Sequence, residues 1–228
     1  MLNVFEPYLA QLEAHEDLER AIQMRDYHKI DRRYLGLTNP LINDLTAKWR
    51  ADLGNEARVA VADGLWRTDI YEARLAASKL LTTARIKPDD TDAWRLIASW
   101  VPDFDSWAIA DHTCSAGSKR LVADPQRVDE IEAWVSSDHM WTRRAALVIT
   151  LPWTKQNHPK AFEEAIRDRV LGWAAELVPD REWFIQKAIA WWLRELSKHD
   201  PARVRNFMES HAAQMKPFAA KEAVRQLP

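Results

Sequence analysis

Three times in this chain a capping side chain stands directly before a proline: Asn39-Pro40, Asp124-Pro125 and Asp200-Pro201. The Asn or Asp oxygen can accept from the unpaired N–H groups of a first helical turn. Proline's fixed φ suits that turn, where its missing N–H would have had no partner in any case. Each dipeptide therefore reads as a helix start. Stops are as legible, with Pro102 closing the stretch 93–100 and Pro179-Asp180 closing 162–177, because the residue before a proline is pushed out of the helical region. No run of alternating β-branched residues is long enough for a strand. Glycine usage agrees. Five glycines in 228 residues fall well below the ordinary share of roughly 7%, and hairpins and phosphate-cradling loops both need glycine.

The chain is thus expected to be all-α, a single domain over 1–228 with helices near 3–14, 17–30, 40–53, 55–66, 69–85, 91–100, 104–121, 125–136, 138–151, 159–177, 181–198, 201–213 and 217–226. Three of these stretches can be laid over one another. Tyr71-Glu-Ala-Arg74 is followed 70 residues on by Trp141-Thr-Arg-Arg144 and 43 residues after that by Phe184-Ile-Gln-Lys187, each trailed by small residues. The spacing puts an aromatic and a base on one helix face, with alanines letting the next helix approach. Such intervals fit helix-pair repeats of about 40 residues, the HEAT and armadillo range, whose stacking gives a solenoid with one concave face. A plain helical bundle is the alternative.

Composition excludes more than it identifies. Hydrophobic residues at 47% and charged residues at 29% are those of a globular chain. One cysteine, Cys114, rules out an internal disulfide or a thiolate cluster. The histidines show no ligand pairing, so no metal is assigned. The first ten residues lack a basic segment leading into a long apolar run, and no apolar run approaches the roughly 20 residues of a membrane span. A soluble, cytoplasmic protein without membrane contact is expected. The net charge of −2 hides an asymmetry: from Trp141 onward 15 Lys/Arg face 10 Asp/Glu, whereas residues 1–140 carry 17 against 24. The later part could turn a basic face to a polyanion.

Familiar catalytic patterns are missing, including the glycine phosphate loop, the His-Glu-x-x-His zinc helix and the Gly-x-Ser-x-Gly elbow. The informative segment is Asp103-Phe-Asp-Ser-Trp107-Ala-Ile-Ala-Asp111. Asp105 or Ser106 can cap a helix that then carries Trp107 and Asp111 one turn apart on one face. Downstream come Trp141-Thr-Arg-Arg144 and Phe184-Ile-Gln-Lys187-Ala-Ile-Ala-Trp191-Trp-Leu-Arg194-Glu. Of the twelve tryptophans, Trp49, Trp66, Trp94, Trp100, Trp134, Trp153, Trp173 and Trp183 read as fillers between helices.

With Met24-Arg-Asp-Tyr27 and Tyr34-Leu-Gly36-Leu-Thr-Asn-Pro40 upstream, these motifs, in this order over nearly the whole chain, resemble the AlkD-type alkylpurine DNA glycosylases, which are built from HEAT-like repeats. The resemblance implies a monofunctional enzyme that removes cationic N3- and N7-alkylated purines, such as 3-methyladenine and 7-methylguanine, from double-stranded DNA without extruding the lesion into a pocket. It implies no cofactor and a monomer. Asp111 matches the catalytic acid and Arg144 its arginine, while Trp107, Trp191 and Tyr27 match an aromatic cleft. Arg194 matches an arginine that contacts the DNA backbone. Whether Trp191 or Trp192 faces the cleft stays open. Lys187 is the nearest lysine to an imine nucleophile, but it reads as structural or phosphate-facing.

The chemistry suits that residue set. Glycoside hydrolysis ordinarily needs two carboxyls, one to protonate the leaving group. An alkylated purine already carries its positive charge and departs neutral, so one carboxylate suffices to stabilise the oxocarbenium-like sugar and direct water. Ring faces of Trp107, Trp191 and Tyr27 would favour a cation by roughly 0.5–2 kcal/mol. Arg144 would clamp a phosphate and, if within about 4–6 Å, hold Asp111 ionised. Two other classes stand beside this one: a non-catalytic helical-repeat protein that binds distorted or branched DNA by shape, and a protein-interaction scaffold.

Overall fold

The computed structural model describes residues 3–227; residues 1, 2 and 228, the ends of the expected domain, lie outside them. Among the described residues the chain is all-α. Its thirteen α-helices are α1 (Glu6–Glu13), α2 (Leu18–His28), α3 (Asn39–Asp52), α4 (Asn55–Arg67), α5 (Tyr71–Leu80), α6 (Thr91–Trp100), α7 (Trp107–Ala123), α8 (Val128–Val135), α9 (Met140–Val148), α10 (Ala161–Leu177), α11 (Trp183–Ser197), α12 (Pro201–His211) and α13 (Pro217–Ala223). None of them is long and apolar enough to cross a membrane.

Each expected stretch contains one helix, and the departures have local causes. Asp200 caps α12, its carboxylate accepting from the Arg203 N–H at 3.3 Å. For α3 the cap is instead Thr38, whose hydroxyl accepts from the Leu41 N–H at 3.4 Å, so that Asn39 is already helical. Asp124 caps a short 3-10 turn, Pro125–Arg127, that precedes α8. A second such turn, Leu151–Thr154, takes over after α9, where Pro152 has no N–H to continue an α-helix.

The helices gather into two compact units, α1–α7 and, from Asp124 onward, α8–α13. The first is built around α5, which packs against α3, α4 and α7. All ten residues of α5 are buried, so its polar side chains must find partners inside the protein. Glu72 accepts the backbone N–H groups of Leu35, Gly36 and Leu37 at 2.8, 2.7 and 3.2 Å. Arg74 meets Asp69 at 3.0 Å and lies 4.6 Å over the Trp66 ring. Ser78 shares a 2.8 Å hydrogen bond with Thr113 of α7, and Lys79 donates to Asn43 of α3 at 2.7 Å. Trp66 and Trp100 stack nearly parallel at 4.4 Å, worth about 0.5–1.5 kcal/mol beyond the area they bury.

The second unit is built around α11, which packs against α9, α10, α12 and α13. Buried Gln186 has the same stapling role there that Glu72 has in the first unit. Its amide donates to the carbonyls of Val178 and Asp180, both at 2.9 Å, and its oxygen accepts the Lys216 N–H at 2.8 Å. One side chain thus fixes both the entry to α11 and the approach to α13.

Candidate active site

In the first unit the expected acid and its neighbouring indole sit on α7, which begins at Trp107. Asp111 follows one turn later and is half-buried, while Trp107 is 40% exposed. The start of α7 is anchored through Asp105, whose carboxylate takes a two-point contact from Arg32 at 2.7 and 3.3 Å. Arg32, almost fully buried, also meets Asp69 at 2.9 Å. The connection that carries Arg32 is itself held by Glu72. It turns at Gly36, whose φ of +80° places a would-be Cβ 2.2 Å from the Asp17 carbonyl oxygen, so any other residue there would force the turn apart.

This clamp lays the end of α2 against the start of α7. His28 lies among four rings: Tyr27 at 5.0 Å, Tyr34 at 6.0 Å, Tyr71 at 4.7 Å and Trp107 at 6.0 Å. Burial pushes the His28 imidazole below its ordinary range, because desolvation disfavours the charged form. Tyr27, 70% exposed, and Trp107 are the outer members of the cluster. The structure thus joins Tyr27 and Trp107 through His28 as the spacer between the two rings, and Asp111 lies one turn beyond Trp107 on α7. Sequence reasoning missed His28. The only signal was its place after Tyr27, and nothing in the spacing shows that a helix end will be packed among tyrosines.

In the second unit, Arg144 on α9 is 3% exposed, with its guanidinium 5.8 Å from the Trp141 ring centre. Trp141 in turn packs on Phe184 of α11 at 4.6 Å. The aromatic-x-x-base pattern that linked α5, α9 and α11 therefore serves three geometries. Arg144 meets its own aromatic, Arg74 lies over Trp66 rather than Tyr71, and Lys187 lies 4.6 Å over Trp183 rather than Phe184.

A groove of about 560 Å³ runs between α11 and α13, lined by Trp183, Lys187, Trp191, Arg194 and Phe218 among others. Of the two adjacent indoles, Trp191 lines the groove. Trp192 is fully buried and donates its Nε1–H to the Thr150 hydroxyl at 3.2 Å. Arg194 is held at this groove by two carboxylates, Glu195 at 3.2 Å and Glu222, and its hydrogen bond to Glu222, with its charge, holds that carboxyl below the ordinary range. One sequence expectation is corrected here. Trp183 is not an interior filler but 45% exposed at the groove, because it is the first residue of α11, at the end of the helix rather than within its packed length. Trp49, Trp66, Trp94, Trp100, Trp153 and Trp173 are buried as expected, and Trp134 is half-buried.

Fold and site together define an all-α helical-repeat protein with an acid one turn from an exposed indole and cationic side chains along an aromatic groove. The model of the family described as DNA alkylation repair enzyme matches residues 8–227, and the chain belongs to that family. Its fold is that of a predicted DNA alkylation repair enzyme from Enterococcus faecalis, with 21% identity over 93% of this chain and 97% of that one at a TM-score of 0.78. AlkD2 from Streptococcus mutans is 19% identical over 98% of this chain and 99% of its own, with a TM-score of 0.66. A further structure, smu.31 from Streptococcus mutans UA159, is 19% identical over 82% of this chain and all of its own, with a TM-score of 0.60. No curated protein matches the chain.

Proposed function

We propose that this protein is a DNA glycosylase that hydrolyses the N-glycosidic bond of cationic N3- and N7-alkylated purines in duplex DNA, acting without extruding the base into a pocket. The observation that carries this reading is the placement of Asp111 one turn beyond the exposed Trp107, whose ring joins Tyr27 through His28, in a chain of the DNA alkylation repair family. Asp111 stabilises the oxocarbenium-like sugar and orients the attacking water. The electron-rich faces of Trp107 and Tyr27 favour a charged lesion over a neutral purine. Arg144 supplies a fixed positive charge for a DNA phosphate. Trp191, Lys187 and Arg194 contact the DNA from the second unit, Arg194 exchanging a carboxylate for a phosphate as it does so.

The test is incubation with methylated duplex DNA, scoring freed 3-methyladenine and 7-methylguanine, with Asp111→Asn alongside. Wild type should release both bases, and Asp111→Asn should lose at least a hundredfold in rate with its circular dichroism and duplex affinity retained. Release by neither protein, with salt-dependent duplex binding intact, would point to the non-catalytic reading, in which the chain recognises distorted DNA by shape.

A further inference from the structure

The groove between α11 and α13 has more aromatic surface than packing requires. Phe218 of α13 lies stacked on Trp183, ring centres 5.8 Å apart and planes 27° from parallel, yet both rings stay open to solvent, at 38% and 45%. Paired exposed rings in a concave site are a recurring mark of a binding surface. The charges beside them define what fits. Lys187, Arg194 and Arg225 line the groove with Glu222, and Glu195 also pairs with Arg194, which leaves a local excess of one positive charge. Glu222 bridges Arg194 and Arg225, whereas Lys187 extends its ammonium over the Trp183 ring at 4.6 Å.

We propose that this groove is a stacking platform for an unpaired base of single-stranded DNA; it rests on the reading that the chain works on DNA. A flat, apolar plane joined to an anion matches exposed rings joined to cations. Stacking of this kind tolerates any base, because every base offers a π-face. A base within duplex has both faces covered by its neighbours and offers none to Trp183, so the occupant is an unpaired strand. Lys187 covers the ring in the free protein. On arrival of a base it moves from the ring to the adjoining phosphate, exchanging a cation–π contact for a charge-assisted hydrogen bond.

The test uses undamaged single-stranded oligonucleotides carrying 2-aminopurine, whose emission falls when the base stacks, with anisotropy on single strand and duplex of the same sequence. Wild type should quench the probe. Trp183→Ala should abolish the quench and weaken single-strand affinity about tenfold, with a smaller effect on duplex. Trp183→Phe should restore most of both. Far-UV circular dichroism should match wild type, since the substituted ring is on the surface. A wild type that fails to quench, a Trp183→Ala protein that behaves as wild type, a Trp183→Phe protein as weak as the alanine variant, or an equal loss for single strand and duplex would each overturn the platform. Because the DNA carries no lesion, a failed excision assay with intact quenching removes only the glycosylase reading, and the converse removes only this one.

Discussion

Glu72 offers the most direct test of how the first unit holds its site together. Its carboxylate is fully buried and accepts three backbone N–H groups from the connection between α2 and α3, at 2.8, 2.7 and 3.2 Å. In Glu72→Ala all three donors lose their acceptor away from bulk water, at about 1–3 kcal/mol each before relaxation. Allowing for some water entry, the protein should lose about 3–6 kcal/mol, a large share of the roughly 5–15 kcal/mol of a typical domain. Glu72→Gln keeps one oxygen and turns an amide nitrogen toward at least one donor, so it should cost about 1–3 kcal/mol. Urea denaturation followed by far-UV circular dichroism at pH 7 measures both. The competing effect is burial, which pushes the Glu72 carboxyl above its ordinary 4.5 against the pull of the three N–H groups. A raised folded-state pKa means that this group's contribution is complete below pH 4.5 and shrinks as pH rises through the folded value; the glutamine variant should lack that decline. If Glu72→Gln is as stable as wild type at pH 7, burial outweighs the hydrogen bonds and the reasoning fails. An alanine variant within about 1 kcal/mol of wild type would refute it as well.

Two further outcomes follow from the charges. His112, next to Asp111, is pushed from 6.5 down to about 4 by burial and then by the nearby Lys79 charge. The unfolded chain therefore takes up the proton first on acidification, and up to about 3 kcal/mol of stability should disappear between pH 6.5 and pH 4; His112→Gln should flatten that part of the urea-midpoint profile, and an unchanged profile would show that His112 is not the group responsible. Glu222→Gln releases Arg194 and Arg225 from their shared carboxylate. It should tighten duplex DNA binding about two- to fivefold at low salt, in keeping with a partly exposed ion pair, and no change in a titration by anisotropy would remove Arg194 from the DNA-contacting set.

Most of the helix order was legible because its signals are local. A capping oxygen, a proline without an N–H and a stretch free of glycine act within a few residues, and they act the same way in any tertiary setting. What was not legible is which faces are covered. Helix α5 carries Glu72, Arg74, Ser78 and Lys79 among its ten residues, yet all are buried. Each polar group meets a partner from a segment more than four residues away in at least one of its contacts, such as Thr113 for Ser78 and Asn43 for Lys79. Periodicity carries no record of such partners, so a helix buried on every side is read from sequence as one that is not.

The same limit divides the site residues. Trp107 and Asp111 were found because their relation is one turn of a single helix, a distance fixed by helix geometry. His28 and Trp183 were missed because what matters about them is set by neighbours distant in sequence. His28 is packed by rings from three other segments, and Trp183 opens its helix at a groove whose other wall is a helix more than thirty residues on. Trp191 and Trp192 make the contrast at its smallest: adjacent and chemically identical, they differ by the roughly 100° that one residue turns on a helix. That rotation sends one indole into the groove and the other to the Thr150 hydroxyl in the core. A tryptophan's role in this chain therefore follows from the side of the helix it occupies rather than from its being tryptophan.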